Sequence, residues 1–154
     1  MNEAEAPRRI GRSIGAVVAG SAVDVVITLA TDAVLHMVGV FPPIGQPTGD
    51  APMVLATAYR MVYGVLGSYL IARWAPRRPM GHALTGGVVG VVVSTVGAAV
   101  TWNGGPAFGP HWYPIGIIIT AMPCAWLGGK LRVDQLRAGS CEHAVARTDS
   151  RYGS

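Results

Sequence analysis

Four stretches of this 154-residue chain, at 13–40, 51–74, 80–102 and 112–129, are apolar over lengths near the ~17 to 25 residues that cross ~30 Å of hydrocarbon. Nothing else in the sequence constrains the fold as strongly. Lipid offers no water to backbone N–H and C=O groups, and a helix satisfies those groups within a single segment. The expected class is therefore all-α integral membrane, a four-transmembrane-helix bundle. Only 13% of the residues are charged and 51% are hydrophobic, whereas about 25% charged is usual in soluble domains. The first stretch is long enough to tilt, and Pro123 in the short fourth one is tolerated as a kink.

Turn residues separate the stretches: Phe41-Pro42-Pro43 and Gln46-Pro47-Thr48-Gly49, then Ala75-Pro76-Arg77-Arg78-Pro79, then Asn103-Gly104-Gly105-Pro106 and Pro114. The chain divides into an N-terminal segment (1–12), a transmembrane domain (13–132) and a polar tail (133–154) expected to be disordered. No repeat of 20 to 50 residues is present.

Orientation follows from the basic residues. Eleven of the twelve Lys and Arg fall on one side: Arg8, Arg9 and Arg12, then Arg73, Arg77 and Arg78, then Lys130, Arg132, Arg137, Arg147 and Arg151. The twelfth, Arg60, lies inside a span, and the other two loops carry none. The positive-inside rule puts both termini, and so the N-terminal segment and the tail, in the cytoplasm. Trp102, Trp112, Tyr113 and Phe41 are expected in an outer interfacial belt, with Trp74 and Trp126 in an inner one. The net charge of +4 reads as a topology signal and an attraction to anionic headgroups, with the lipid bilayer as partner and no nucleic acid. A cleaved signal peptide fits poorly, because the first run is too long, Asp24 interrupts it and no A-x-A site follows. Cys124 in the fourth span and Cys141 in the tail are not expected to form a disulfide.

The stretch 24–36, DVVITLATDAVLH, places two acids and a histidine in the first span, where a charge near the bilayer centre costs roughly 2.5 to 3.5 kcal/mol on insertion scales. At 100° per residue, Asp24, Thr28, Thr31, Asp32 and His36 fall within an arc of roughly 140°, with Ser21 inside it. Val23, Val26, Ile27, Ala30 and Val34 cover the opposite side. The polar face is expected to point into the bundle.

On the second span Thr57, Arg60, Tyr63, Gly64, Gly67 and Ser68 share one side, while Leu55, Val62, Leu66 and Tyr69 turn away. The short outer loop makes the two spans an antiparallel hairpin centred near Gln46. Asp32 and Arg60 then both lie about 12 to 14 Å below the outer boundary, so an ion pair fixing the hairpin register is the preferred reading. A substrate or proton pathway is the alternative. Asp24 lies about 12 Å deeper, opposite Ser68 and beyond easy reach of Arg60. An acid there is expected to stay neutral and to hydrogen-bond, or to take part in a pathway. The intramembrane polar residues of interest are thus Asp24, Thr28, Asp32, His36, Arg60 and Tyr63.

His36 reads as a satisfied polar residue before it reads as a haem or metal ligand. His111 is the one second ligand on its side. His82 lies on the inner side and His143 in the tail, so no ligand cluster forms and no metal or cofactor is expected. Gly86, Gly90, Ser94 and Ala98 on the third span, and Gly116, Thr120, Cys124 and Gly128 on the fourth, form small-residue stripes of the kind that lets helix backbones approach closely. Packing within one bundle is their first use, and a homo-oligomer or a membrane-protein partner the second. Gly104, Gly105 and Gly109 make no phosphate loop, and nucleophile elbow, metal-protease helix and CxxC are all absent, so no enzyme is expected.

The runs AYRMVYGVLGSYLIARWAPRRPMGHAL (58–84) and GPHWYPIGIIITAMPCAWLGGKL (109–131) resemble a group of small bacterial four-helix inner-membrane proteins of unassigned function. The resemblance covers nearly the whole chain outside the tails. It implies a bacterial inner-membrane location and four spans, and supplies no catalytic residues. The function expected first is that of an accessory or structural membrane component. Next comes a proton-coupled transporter or solute-pathway component using Asp24, Asp32 and Arg60. Last is a haem- or quinone-binding redox partner using His36 and His111.

Overall fold

The computed structural model describes residues 5–75, 78–105 and 108–152, with side chains over 11–75, 78–105 and 108–141. Arg77, Pro76 and Pro106, residues 1–4 and 153–154, and the side chains of Arg8, Arg9, His143, Arg147 and Arg151 lie outside the described residues. Among the described residues the chain is four helices: α1 (Glu5–Met37), α2 (Asp50–Trp74), α3 (Pro79–Thr101) and α4 (Trp112–Tyr152). Each is long and apolar enough to cross a membrane, over Gly11–Met37, Asp50–Trp74, Pro79–Thr101 and Trp112–Cys141. This is the build of a multi-pass membrane protein.

Two helix ends differ from the sequence expectation. The first span stops at Met37 and not at Val40, because Gly39 takes a left-handed conformation at φ +77°. Its N–H bonds the His36 carbonyl at 3.2 Å and the Val40 N–H bonds that of Leu35 at 3.0 Å, which is the glycine-ended cap that terminates helices. The second difference is larger. α4 runs through Pro123 and continues to Tyr152, 41 residues in all, so the segment expected to be a disordered tail is helical through its described part. At 1.5 Å per residue α4 is about 60 Å long, about twice the ~30 Å that a single crossing of the hydrocarbon layer needs. Residues 130–152 hold no proline and are rich in Leu, Arg, Gln and Ala, which favour helix. The Tyr69 hydroxyl donates to Gln135 Oε1 at 2.9 Å, tying the first turn of the extension to α2.

The helices run up and down in turn. Asp32 meets Arg60 while Gly20 meets Gly67 and Ile71, so α1 and α2 are antiparallel. Gly90 lies by Ala121 while Gly129 lies by Met80 and Ala83, so α3 and α4 are antiparallel too. α2 and α4 run parallel, Trp112 reaching Asp50 and Gly128 reaching Ser68. The start of α1 and the end of α4 therefore lie at the same end of the bundle.

Small residues hold it together. The buried apolar residues are mostly alanine, with Ile71, Phe41 and Cys124, and the closest approaches are at glycines. A Cβ on Gly128 would collide with the Val65 carbonyl oxygen and sit 2.7 Å from the Tyr69 nitrogen, and one on Gly87 would sit 2.6 Å from Ala125 Cβ. Both stripes are thus spent inside the bundle at Gly86, Gly90 and Gly128, the packing expected where lipid provides no hydrophobic drive between helices. Large side chains such as Val26, Leu29, Val62, Val93 and Ile119 instead point outward, as suits a surface covered by lipid. α4 packs broadly on both α2 and α3, whereas α1 rests mainly on α2 and meets α3 only slightly.

Candidate functional site

Two polar groupings lie at membrane depth. The outer one is built where α1 crosses α2. Arg60 Nη2 donates to Asp32 Oδ2 at 2.7 Å, and the Tyr59 hydroxyl donates to Asp32 Oδ1. Both carboxylate oxygens are thus occupied, a favourable state for a charge out of water. The guanidinium also lies over the Tyr113 ring, its carbon 5.8 Å from the centroid, where the negative face of the ring attracts the cation. The preceding residue, Thr31, donates to the Ile27 carbonyl at 2.8 Å and stands 3.0 Å from the Tyr63 hydroxyl. Its single proton is spent on Ile27, so Tyr63 donates to Thr31.

Sequence reasoning pairs Asp32 with Arg60 by depth, and the two are joined. It misses Tyr59 and Tyr113. Tyr59 is offset by 100° from Arg60 on the wheel, yet its long ring swings onto the same carboxylate. Tyr113 turns onto Arg60, where the headgroup belt is its expected place. Phe41, also expected in the outer belt, is buried at 8% exposure with its ring edge-on to His36 at 5.2 Å between centroids.

The inner grouping is a cavity of about 350 Å³ to which all four helices contribute. Asp24 and Thr28 of α1, Arg60 and Ser68 of α2, Ser94 of α3, and Thr120 and Cys124 of α4 supply its polar lining. Asp24 sits one turn from the close approach of α1 to α2 at Gly20, and a Cβ on Gly67 would lie 3.1 Å from Asp24 Cβ. Gly67 is what lets the acid side chain fit between the two backbones. Asp24 Oδ1 is buried and has no hydrogen-bond partner among the described residues, and the same holds for Arg60 Nε. Such orphaned polar atoms in an apolar setting are uncommon and costly. Asp24 and Ser68 line the same space, as the register places them, and Arg60, whose Nη2 is bonded to Asp32, lines it as well.

His36 stands apart from the cavity. Its Nδ1 donates to the Asp32 carbonyl at 2.8 Å, capping the end of α1. His111 Nε2 lies 3.3 Å from the Trp102 carbonyl, with its ring beside that of Trp102. No described contact joins the two histidines. Among the described residues no group of three or more His, Cys, Asp or Glu is placed to hold a metal ion.

No protein-family model, curated protein or solved structure matches this chain.

What the cavity can do follows from its own chemistry. An apolar chamber within a bundle, with a few convergent polar groups, is the usual form of a small-molecule site. An ionisable residue inside a membrane bundle marks solute or proton pathways. Here both features coincide at Asp24.

Proposed function

We propose that this protein is a multi-pass component of the bacterial inner membrane, with both termini in the cytoplasm, and that its bundle provides a solute or proton pathway through Asp24. The cytoplasmic assignment rests on the eleven Lys and Arg gathered on one side, and the bacterial setting on the resemblance of residues 58–84 and 109–131 to small four-helix inner-membrane proteins. The observation that carries the pathway reading is the cavity itself, a chamber at mid-bundle lined by an acid whose Oδ1 has no partner among the described residues. A purely architectural acid would be matched to a donor, as Asp32 is by Tyr59 and Arg60.

The test is flux in liposomes. The purified protein should move protons, alone or coupled to a solute, and Asp24→Asn should abolish that movement without changing the unfolding midpoint in detergent, since an amide keeps the shape of the acid. Flux that persists in Asp24→Asn removes Asp24 from the mechanism. No flux across a broad panel of solutes returns the protein to the accessory-component reading.

A further inference from the structure

The cavity opens sideways. Its rim includes Val25 and Leu29 of α1 and Val89 and Val93 of α3, and all four face outward, with Leu29 at 62% and Val93 at 65% exposure. α1 and α3 are also the least tightly joined of the packed helix pairs. The surface on which they meet is the one lipid covers, so a molecule dissolved in the bilayer reaches the chamber directly, with its apolar part remaining against valine and leucine.

Charge selects the other end of that molecule. The ionisable groups that face the chamber are Asp24, Arg60 and the Cys124 thiol, and Asp32 is bound to Arg60. Two carboxylates against one guanidinium leave one negative charge when the acids are ionised. The charge of Arg60 is already balanced by Asp32 and its guanidinium lies over Tyr113, with its Nε left without a partner among the described residues, so an added anion would raise the charge imbalance to two, whereas one added cation cancels it. One hydroxyl points the same way. Thr120 spends its proton on the Gly116 carbonyl at 2.8 Å and so offers the chamber only acceptor lone pairs.

We propose that the cavity binds an amphiphilic organic monocation, a protonated amine whose N–H groups donate to the Asp24 carboxylate and whose apolar body lies between α1 and α3. This rests on reading the cavity as a solute site and names the class of solute.

The experiment uses three probes of one shape: 4-phenylbutylamine, 4-phenylbutanol and 4-phenylbutyrate, titrated by calorimetry at pH 7 into the full chain in detergent, with empty micelles subtracted. The amine should bind at least about tenfold more tightly than the alcohol, as a charge-assisted hydrogen bond in an apolar site requires, and the carboxylate should not bind. Asp24→Asn should reduce the amine to the affinity of the alcohol and leave the alcohol unchanged. Val93→Trp, which fills the lateral rim without touching the acid, should weaken both. Equal affinity for amine and alcohol, preference for the carboxylate, no binding of the amine, or an amine preference that survives Asp24→Asn would each overturn the assignment. Flux and binding separate the two readings. Asp24-dependent proton flux without amine binding keeps the pathway and removes the ligand class, and amine binding without flux does the reverse.

Discussion

Asp32 receives two donors from adjacent residues of α2, Tyr59 on one oxygen and Arg60 on the other, and that is why a carboxylate is tolerated within an apolar helix. Removing either member leaves the other charge without compensation, which costs roughly 3 to 5 kcal/mol for a buried pair. Asp32→Asn and Arg60→Gln should each lower the unfolding midpoint in detergent, and the double variant should recover part of the loss. Strictly additive losses would show that the two side chains do not interact in solution. Tyr59→Phe tests the third member. It should cost about 1.5 kcal/mol, the lower end for a hydrogen bond to a charged group, and leave the helix register intact.

At the scale of the helix, glycine position decides how closely the axes approach. Gly128 faces the backbone of α2, with the Val65 carbonyl, the Tyr69 nitrogen and Ser68 Cβ all within collision range of a new methyl group. Backbone cannot step aside as a flexible side chain can, so α2 and α4 must separate. Gly128→Ala should therefore destabilise by roughly 1 to 3 kcal/mol, the usual cost of overpacking. Gly97 has nothing within 4 Å of its would-be Cβ, and Gly97→Ala should be neutral or stabilise by up to about 1 kcal/mol through helix propensity. A thermal melt in detergent compares the pair, and equal effects at both sites would contradict the packing. The C-terminal part of α4 makes a separate prediction. Backbone amides of residues 133–141 should exchange slowly with deuterium, being helical and tied to α2 through Gln135 and Tyr69. Immediate exchange from Val133 onward would mean a disordered tail after all.

For the whole molecule, the alternating run of four helices puts the start of α1 and the end of α4 on the same side of the bundle, and the basic residues gather toward that side. Lys130 adds a local example there, its ammonium 4.9 Å from the centre of the Trp126 ring, an arrangement suited to an interfacial anchor. A reporter joined after Ser154 should read cytoplasmic, and one inserted near Gln46 should read external. The opposite result at either position would end the four-span topology. The bundle is also uneven, with α2, α3 and α4 closely packed and α1 attached largely along α2. That unevenness leaves the gap beside α3 in which the cavity forms.

Residue order by itself determined the number of apolar spans and the pairing of Asp32 with Arg60. The reason is that lipid reduces the folding problem nearly to one dimension: helices must cross a layer of fixed thickness, and a rise of about 1.5 Å per residue turns sequence number into depth. Rotation and reach are not given by that rule. The continuation of α4 past residue 129 follows its helix propensity and the Tyr69–Gln135 bond, whereas tertiary packing brought Tyr59 and Tyr113 onto the ion pair and turned Phe41 inward. It also set α1 far enough from α3 to open a chamber at Asp24. These packing outcomes are a property of pairs of helices which no single helix carries.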